Sequence, residues 1–151
     1  MRLTPLFEIR ATLIRNDLIG NFGRGTRAVA VVGDGSFEGA SLRGTVLTPG
    51  ADWVVVGDQG HAQIDVRLIL QTDDDAMIYM TYTGVLEQND AFQQAAAGAE
   101  ASDFGDFYFV TQIRFETGDD RYSWLNHRAA VGEGRLLPGG VEYRVFICEP
   151  G

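Results

Sequence analysis

The sequence predicts an all-β protein: a single antiparallel β-barrel, lipocalin-like or of a related up-and-down type, with one short helix. Three observations carry this reading. Short β-type runs recur along the whole chain, tight-turn chemistry separates them, and only one segment has helical composition. The turns are "GDGSFEG", "TPGAD", "GDQG", "TDDDA", "ETGDD" and "LPGG".

Taken in order, strands are expected near 6–14, 27–33, 42–48, 52–57, 61–71, 76–86, 106–116, 122–131 and 141–148. The helix is expected near residues 89–100, within "NDAFQQAAAGAEAS", where Asn89 or Asp90 can cap an alanine-rich run. It interrupts a strand pair and can lie over a barrel end. No linker, repeat or low-complexity segment divides the chain, so residues 1–151 read as one domain. Closing the sheet into a barrel is the most complete way to remove its exposed edges. "AVAVV" at 28–32 and "WVVV" at 53–56 are apolar on both parities. Such strands call for a covered outer face, supplied by the helix or by a homodimer.

Composition narrows the function. The chain has 151 residues, 45% of them hydrophobic, and a net charge of −9. That charge argues against nucleic acid and anionic membrane as partners. All 12 basic residues are arginine, which excludes Schiff-base and pyridoxal chemistry and any lysine base. Cys148 has no intrachain partner, so nothing points to an oxidising compartment. "MRLTPLFEIRATLI" lacks the apolar core of a signal peptide, and no apolar run has the length of a membrane span. A cytoplasmic protein is the expectation.

Most motif candidates fall to plainer readings. "GNFGRG" lacks the phosphate-binding spacing, "DDD" lacks a calcium-loop spacing, and "GSFEG" has no nucleophile-elbow register. His61, His127 and Cys148 name no metal cluster, and no organic cofactor is implied. The aromatic residues say more. Trp53, Tyr79, Tyr82, Tyr108, Tyr122 and Trp124 fall on predicted strands beside polar groups. "RYSWLN" places Trp124 and Asn126 on one parity. Core packing is the default for a strand tryptophan, while a mixed ligand pocket needs this combination of aromatic and polar groups.

"AQIDVRLIL" at 62–70 poses the sharpest question. Ile64, Val66, Leu68 and Leu70 share one parity, and Asp65 and Arg67 share the other. On periodicity alone the apolar set faces the core and the two charges face water.

Read as an ordered series, these segments resemble the DUF3237 (UPF0311) family of small bacterial and fungal proteins. The resemblance spans nearly the whole chain. It is carried by "GSFEG" at 35–39, "LRGTVLTPGADW" at 42–53, "DVRLILQTDD" at 65–74 and "IYMTYTG" at 78–84. "YFVTQIRFETGDDRYSWLN" at 108–126 and "VEYRVF" at 141–146 complete it. The resemblance implies an antiparallel β-barrel and leaves the activity undefined. Two departures stand out. Val110 occupies a position where the family pattern has arginine, which would remove an anion contact or shift the pocket toward a less charged ligand. Asp75 stands where the pattern has glycine, so it must tolerate any positive φ there.

Because the family motif runs through both Asp65 and Arg67, a second reading stands beside the plain one: these residues line the barrel interior and act on a ligand. The ligand would be an apolar or aromatic oxygenated small molecule. The chemistry would be a cofactor-independent proton transfer of the isomerase, lyase or cyclase type. Asp65 would be base or acid, and Arg67 or Arg27 would hold an oxyanion. Trp53, Tyr79, Tyr108, Trp124 and Asn126 would bind the substrate. The alternative is a carrier barrel that uses the same cavity without chemistry.

Overall fold

Period-two alternation resolves into nine strands in the computed structural model, which describes residues 1–98 and 100–151. They are β1 (Arg2–Asn21), β2 (Thr26–Glu38), β3 (Arg43–Asp52), β4 (Val55–Val56), β5 (His61–Thr72), β6 (Met77–Glu87), β7 (Phe109–Glu116), β8 (Ala130–Leu137) and β9 (Gly140–Glu149). One helix, α1 (Asp90–Ala97), lies between β6 and β7. All the pairings are antiparallel, in the order β1-β9-β8-β7-β6-β5-β3-β2-β4, and β1 pairs with β2 to close the ring.

The alternation decides what fills the barrel. In β5, Ala62, Ile64, Val66, Leu68 and Leu70 are buried, and in β7 so are Phe109, Thr111, Ile113 and Phe115. Aromatic rings occupy the interior. Phe7 packs 5.2 Å from Phe37 and 5.9 Å from Phe115, and Tyr143 lies 5.1 Å from both Tyr82 and Phe109. Burying each such side chain contributes about 1.5–3 kcal/mol. The barrel wall therefore encloses packed side chains.

Helix α1 starts where expected, with the Asn89 side chain accepting the Phe92 N–H at 2.9 Å. Ala91, Phe92 and Ala95 pack on the core, with the Phe92 ring 5.5 Å from Phe107. The expected span reached residue 100, and its Ala99 lies outside the described residues.

Two expectations are corrected. The strand expected at 122–131 is a 3-10 helix, Asp120–His127, followed by β8, which was not expected as a separate strand. The Asp119 side chain accepts the Arg121 N–H at 2.9 Å, capping the helix. At its other end Asn126 clamps Thr117, accepting its N–H at 2.8 Å and donating to its carbonyl at 2.9 Å. These side-chain bonds replace the ladder that an alternating "RYSWLN" suggests. The first strand also runs on to Asn21 instead of stopping near 14.

The outer face is partly covered. A loop lies along β8, where Ser102 donates its N–H to the Leu136 carbonyl and accepts the Leu136 N–H at its hydroxyl, both at 3.0 Å. The Phe104 ring of this loop sits under the guanidinium groups of Arg144 (4.0 Å) and Arg135 (5.0 Å). Buried Glu142 receives Arg10 and Arg135. Among the described residues no helix is long and apolar enough to cross a membrane.

Candidate functional site

In β5, β6 and β7, the residues between the core positions form a polar carpet on the outer face. Cross-strand register sets Asp65 opposite Thr83 and Thr83 opposite Gln112. The next row holds Ala51, Arg67, Thr81 and Arg114. Neighbouring strands lie about 4.7–4.9 Å apart, so one small ligand can reach several of these side chains at once.

Asp65 and Arg67 therefore do not line the barrel interior. Ile64, Val66 and Leu68 hold the inward positions, and a one-residue shift of register would expose all three to water. The periodicity reading of this strand was right about direction. On its outward face Asp65 is half-buried and Arg67 is exposed, and this face borders two recesses.

Two recesses meet at Arg67. One is an apolar pocket of about 440 Å³ whose walls include Val29, Val31, Ala51, Trp53, Ile69 and Tyr79. Val29 and Val31 come from the two-sided apolar run at 28–32, whose outer parity is thereby explained. A β-bulge between Leu47 and Ala51 helps shape this wall. The Arg67 guanidinium lies 5.3 Å from the centre of the Trp53 ring, a cation–π arrangement that holds it at the pocket. The other recess is a polar groove of about 860 Å³ whose lining includes Asp65, Arg67, Gln112, Arg114, Asn126 and His127.

The backbone fixes this corner. The Trp53 N–H donates to the Asp65 carbonyl at 2.9 Å, and Arg27 donates to the Trp53 carbonyl at 2.6 Å. Arg27 is thus spent on the backbone behind Trp53 and supports the pocket wall. Asn126, clamped to Thr117, presents a fixed amide at the groove. The expected set of Asp65, Arg67, Trp53, Tyr79 and Asn126 is brought to one face, with Arg27 behind it.

Two expected residues stand apart. Tyr108 is 56% exposed just before β7, and Trp124 is exposed on the 3-10 helix. Neither borders the pocket or the groove. Trp124 was placed by its parity with Asn126 on an assumed strand, and the 3-10 helix removes that relation. Val110 is exposed on the outer face of β7, two residues before Gln112 on the same side, and it lines neither recess.

Asp52 was missed. It sits opposite Val66 and so shares that residue's inward face, largely buried at the end of β3. Its Oδ1 accepts the Asp65 N–H at 3.0 Å. Burial pushes its carboxyl up to about 6, the nearby Asp65 charge pushes the same way, and the hydrogen bond only partly opposes them. Burial raises the Tyr82 and Tyr143 phenols well above their usual range, and the Asp52 charge adds to both shifts. The one sequence signal was a carboxylate inside "GADWVVV", with apolar residues on both parities around it. Asp75 does adopt a positive φ, 70°, as its place in the turn required.

Similarity to known proteins follows the whole chain. The sequence profile of the family described as "Protein of unknown function (DUF3237)" matches residues 1–148. A UPF0311 protein of Clostridium acetobutylicum is 29% identical over 147 residues, covering 97% of this chain and 93% of that one. A crystal structure of a β-barrel-like protein from Acinetobacter baumannii superposes with a TM-score of 0.85 at 35% identity, covering 98% of this chain and 96% of that one. A PR-toxin biosynthesis cluster protein of Penicillium roqueforti is 28% identical over 101 residues, 64% of this chain and 54% of that protein.

Proposed function

This chain belongs to the DUF3237 family, and from that premise and the geometry of its outer face we propose that it binds an apolar or aromatic small molecule carrying an oxygenated, anionic head. One observation carries the reading: Arg67 lines both the apolar pocket and the polar groove. Such a junction suits a ligand whose ring rests against Trp53 and Tyr79 while its charged oxygen meets the guanidinium.

The chemistry proposed for the site is proton transfer without an organic cofactor, of the isomerase, lyase or cyclase type. Asp65 is the base beside Arg67, and a developing oxyanion would be held by Arg67 and by Asn126. Asp52 lies directly behind, bonded to the Asp65 backbone. Its carboxyl, up to about 6, can change protonation near neutral pH. The fungal relative from a toxin biosynthesis cluster supports placing this chain near small-molecule chemistry. A carrier that uses the same junction without turnover is the second reading, favoured by the apolar walls of the pocket beside Arg67, which suit retention of a hydrophobic ligand.

The test uses 8-anilino-1-naphthalenesulfonate, an aromatic anion, as probe. Saturable binding should shift Trp53 fluorescence and weaken at least about tenfold in Arg67→Met. Trp124→Phe should keep the response and Trp53→Phe should lose it. Binding that ignores Arg67 would refute the site. For the chemistry, aryl ketones bearing a carboxylate are incubated in deuterated water. Protein-dependent exchange of their acidic C–H, reduced at least about 10²-fold in Asp65→Asn, supports the enzyme reading. Binding without exchange supports the carrier.

A further inference from the structure

β1 outlasts its neighbour. Its pairing with β9 ends at Thr12, and the Leu13 N–H makes the last bond on that side, to the Gly139 carbonyl. From Arg15 to Asn21 it pairs with β2 alone, with register shifts that leave Ile14 and Ile19 out of the ladder, so the other edge of this arm has no partner among the described residues. The arm sets exposed aliphatic residues on either side of a short polar centre, Arg15-Asn16-Asp17, where an open edge is normally blunted along its length by charge or proline. Ile14 is 59% exposed, and Leu18 and Ile19 are each 70% exposed.

The sequence of this edge is Leu13-Ile14-Arg15-Asn16-Asp17-Leu18-Ile19. Read backwards it keeps its chemistry at every position: aliphatic for aliphatic, and acid for base about a central amide. A twofold interface needs such self-complementarity, because each contact i to j is repeated as j to i. We propose that the edge is the seam of a homodimer, in which β1 pairs antiparallel with β1 of a second copy about an axis at Asn16.

In that register Asn16 meets Asn16 of the second copy and Arg15 meets Asp17, and the aliphatic residues flank this regular centre on both sides. Opposite charges directly across an antiparallel pair stabilise it, and like charges there destabilise it. Only alternate residues turn their backbone groups toward the edge, so the register slips in steps of two. A slip one way sets Arg15 against Arg15, and a slip the other way sets Asp17 against Asp17. Charge thus selects the central register. In the single chain Arg15 bonds Asp17 on its own strand at 2.9 Å. Pairing leaves neither charge without a partner. Arg15 and Asp17 also rim the apolar pocket, so the second copy's strand would wall its open side.

Sedimentation velocity over a dilution series tests the seam. The unmodified chain should sediment as a dimer. Arg15→Asp and Asp17→Arg should each raise the dimer dissociation constant at least about tenfold, since each sets like charges across the axis. The double variant, with the two residues exchanged, should restore the dimer. A cysteine pair provides an independent check in a Cys148→Ser background. Asn16→Cys should form an intermolecular disulfide under mild oxidation. Ile19→Cys should not, because its two copies would lie about 20 Å apart. An unmodified chain that stays monomeric overturns the proposal. So does a dimer indifferent to both single variants, or one that the double variant fails to restore.

Discussion

Replacing Asp52 by asparagine should stabilise the fold, by an amount that depends on pH. In the folded protein its carboxyl is raised from an ordinary value of 3.8 to about 6. The folded state therefore holds this proton more tightly than the unfolded chain does. Below about pH 4 both states are protonated and the residue contributes nothing. As pH rises toward 6 the unfolded chain releases its proton first, and stability falls; above about pH 7 the full penalty is present. The shift corresponds to about 3 kcal/mol, and residual solvent contact reduces this to about 1.5–3 kcal/mol. Asp65 on β5, Tyr82 on β6 and Tyr143 on β9 feel the Asp52 charge, and none of them offers a compensating positive charge. Asparagine keeps an oxygen to accept the Asp65 N–H. Urea unfolding of both proteins at pH 4 and pH 8 is the assay. The two should agree at pH 4, and Asp52→Asn should be more stable at pH 8. A difference independent of pH, or a less stable variant at pH 8, would refute this account of the residue.

Three further substitutions test local features. Gly84→Ala should cost about 1–3 kcal/mol in urea unfolding, because the new Cβ would lie 2.3 Å from the Val110 carbonyl oxygen and 2.8 Å from the Thr111 Cα, neither of which can move freely. Asp75→Gly should stabilise by about 0.5 kcal/mol and raise the melting temperature slightly, relieving an L-residue at φ 70° against a small entropic loss. Asp119→Ala should lower the melting temperature by uncapping the 3-10 helix, and a thermal melt unchanged from the parent would argue against the cap.

Legibility along the sequence followed how much of each signal is local. β5, β6 and β9 were read to within a residue or two, because burial alternates throughout β5 and over most of β6 and β9, broken at Gly84-Val85 and at Glu142-Tyr143. β8 was lost inside "AVGEGRLL", whose glycines weaken a strand signal, although the pairing with β9 holds it from Ala130 to Leu137. The distal half of β1 was lost because its residues are exposed on both faces and show no period. The site followed the same rule. Arg67 and Asp65 could be named because they interrupt an apolar alternation. The junction they form depends on Val29, Pro49 and Trp53, brought beside Arg67 by cross-strand register. Asp52 depends on a pairing with Val66 that no local pattern encodes.

The filled barrel also bears on how such a chain can change. Along β5, residues that hold the protein together and residues that would meet a ligand take turns, Ile64 then Asp65, Val66 then Arg67. The two sets are neighbours in the gene yet sit on opposite sides of a wall one backbone thick. A ligand-facing position can then mutate without opening a void behind it. New specificities become accessible through single substitutions, each screened on binding while the scaffold keeps its stability.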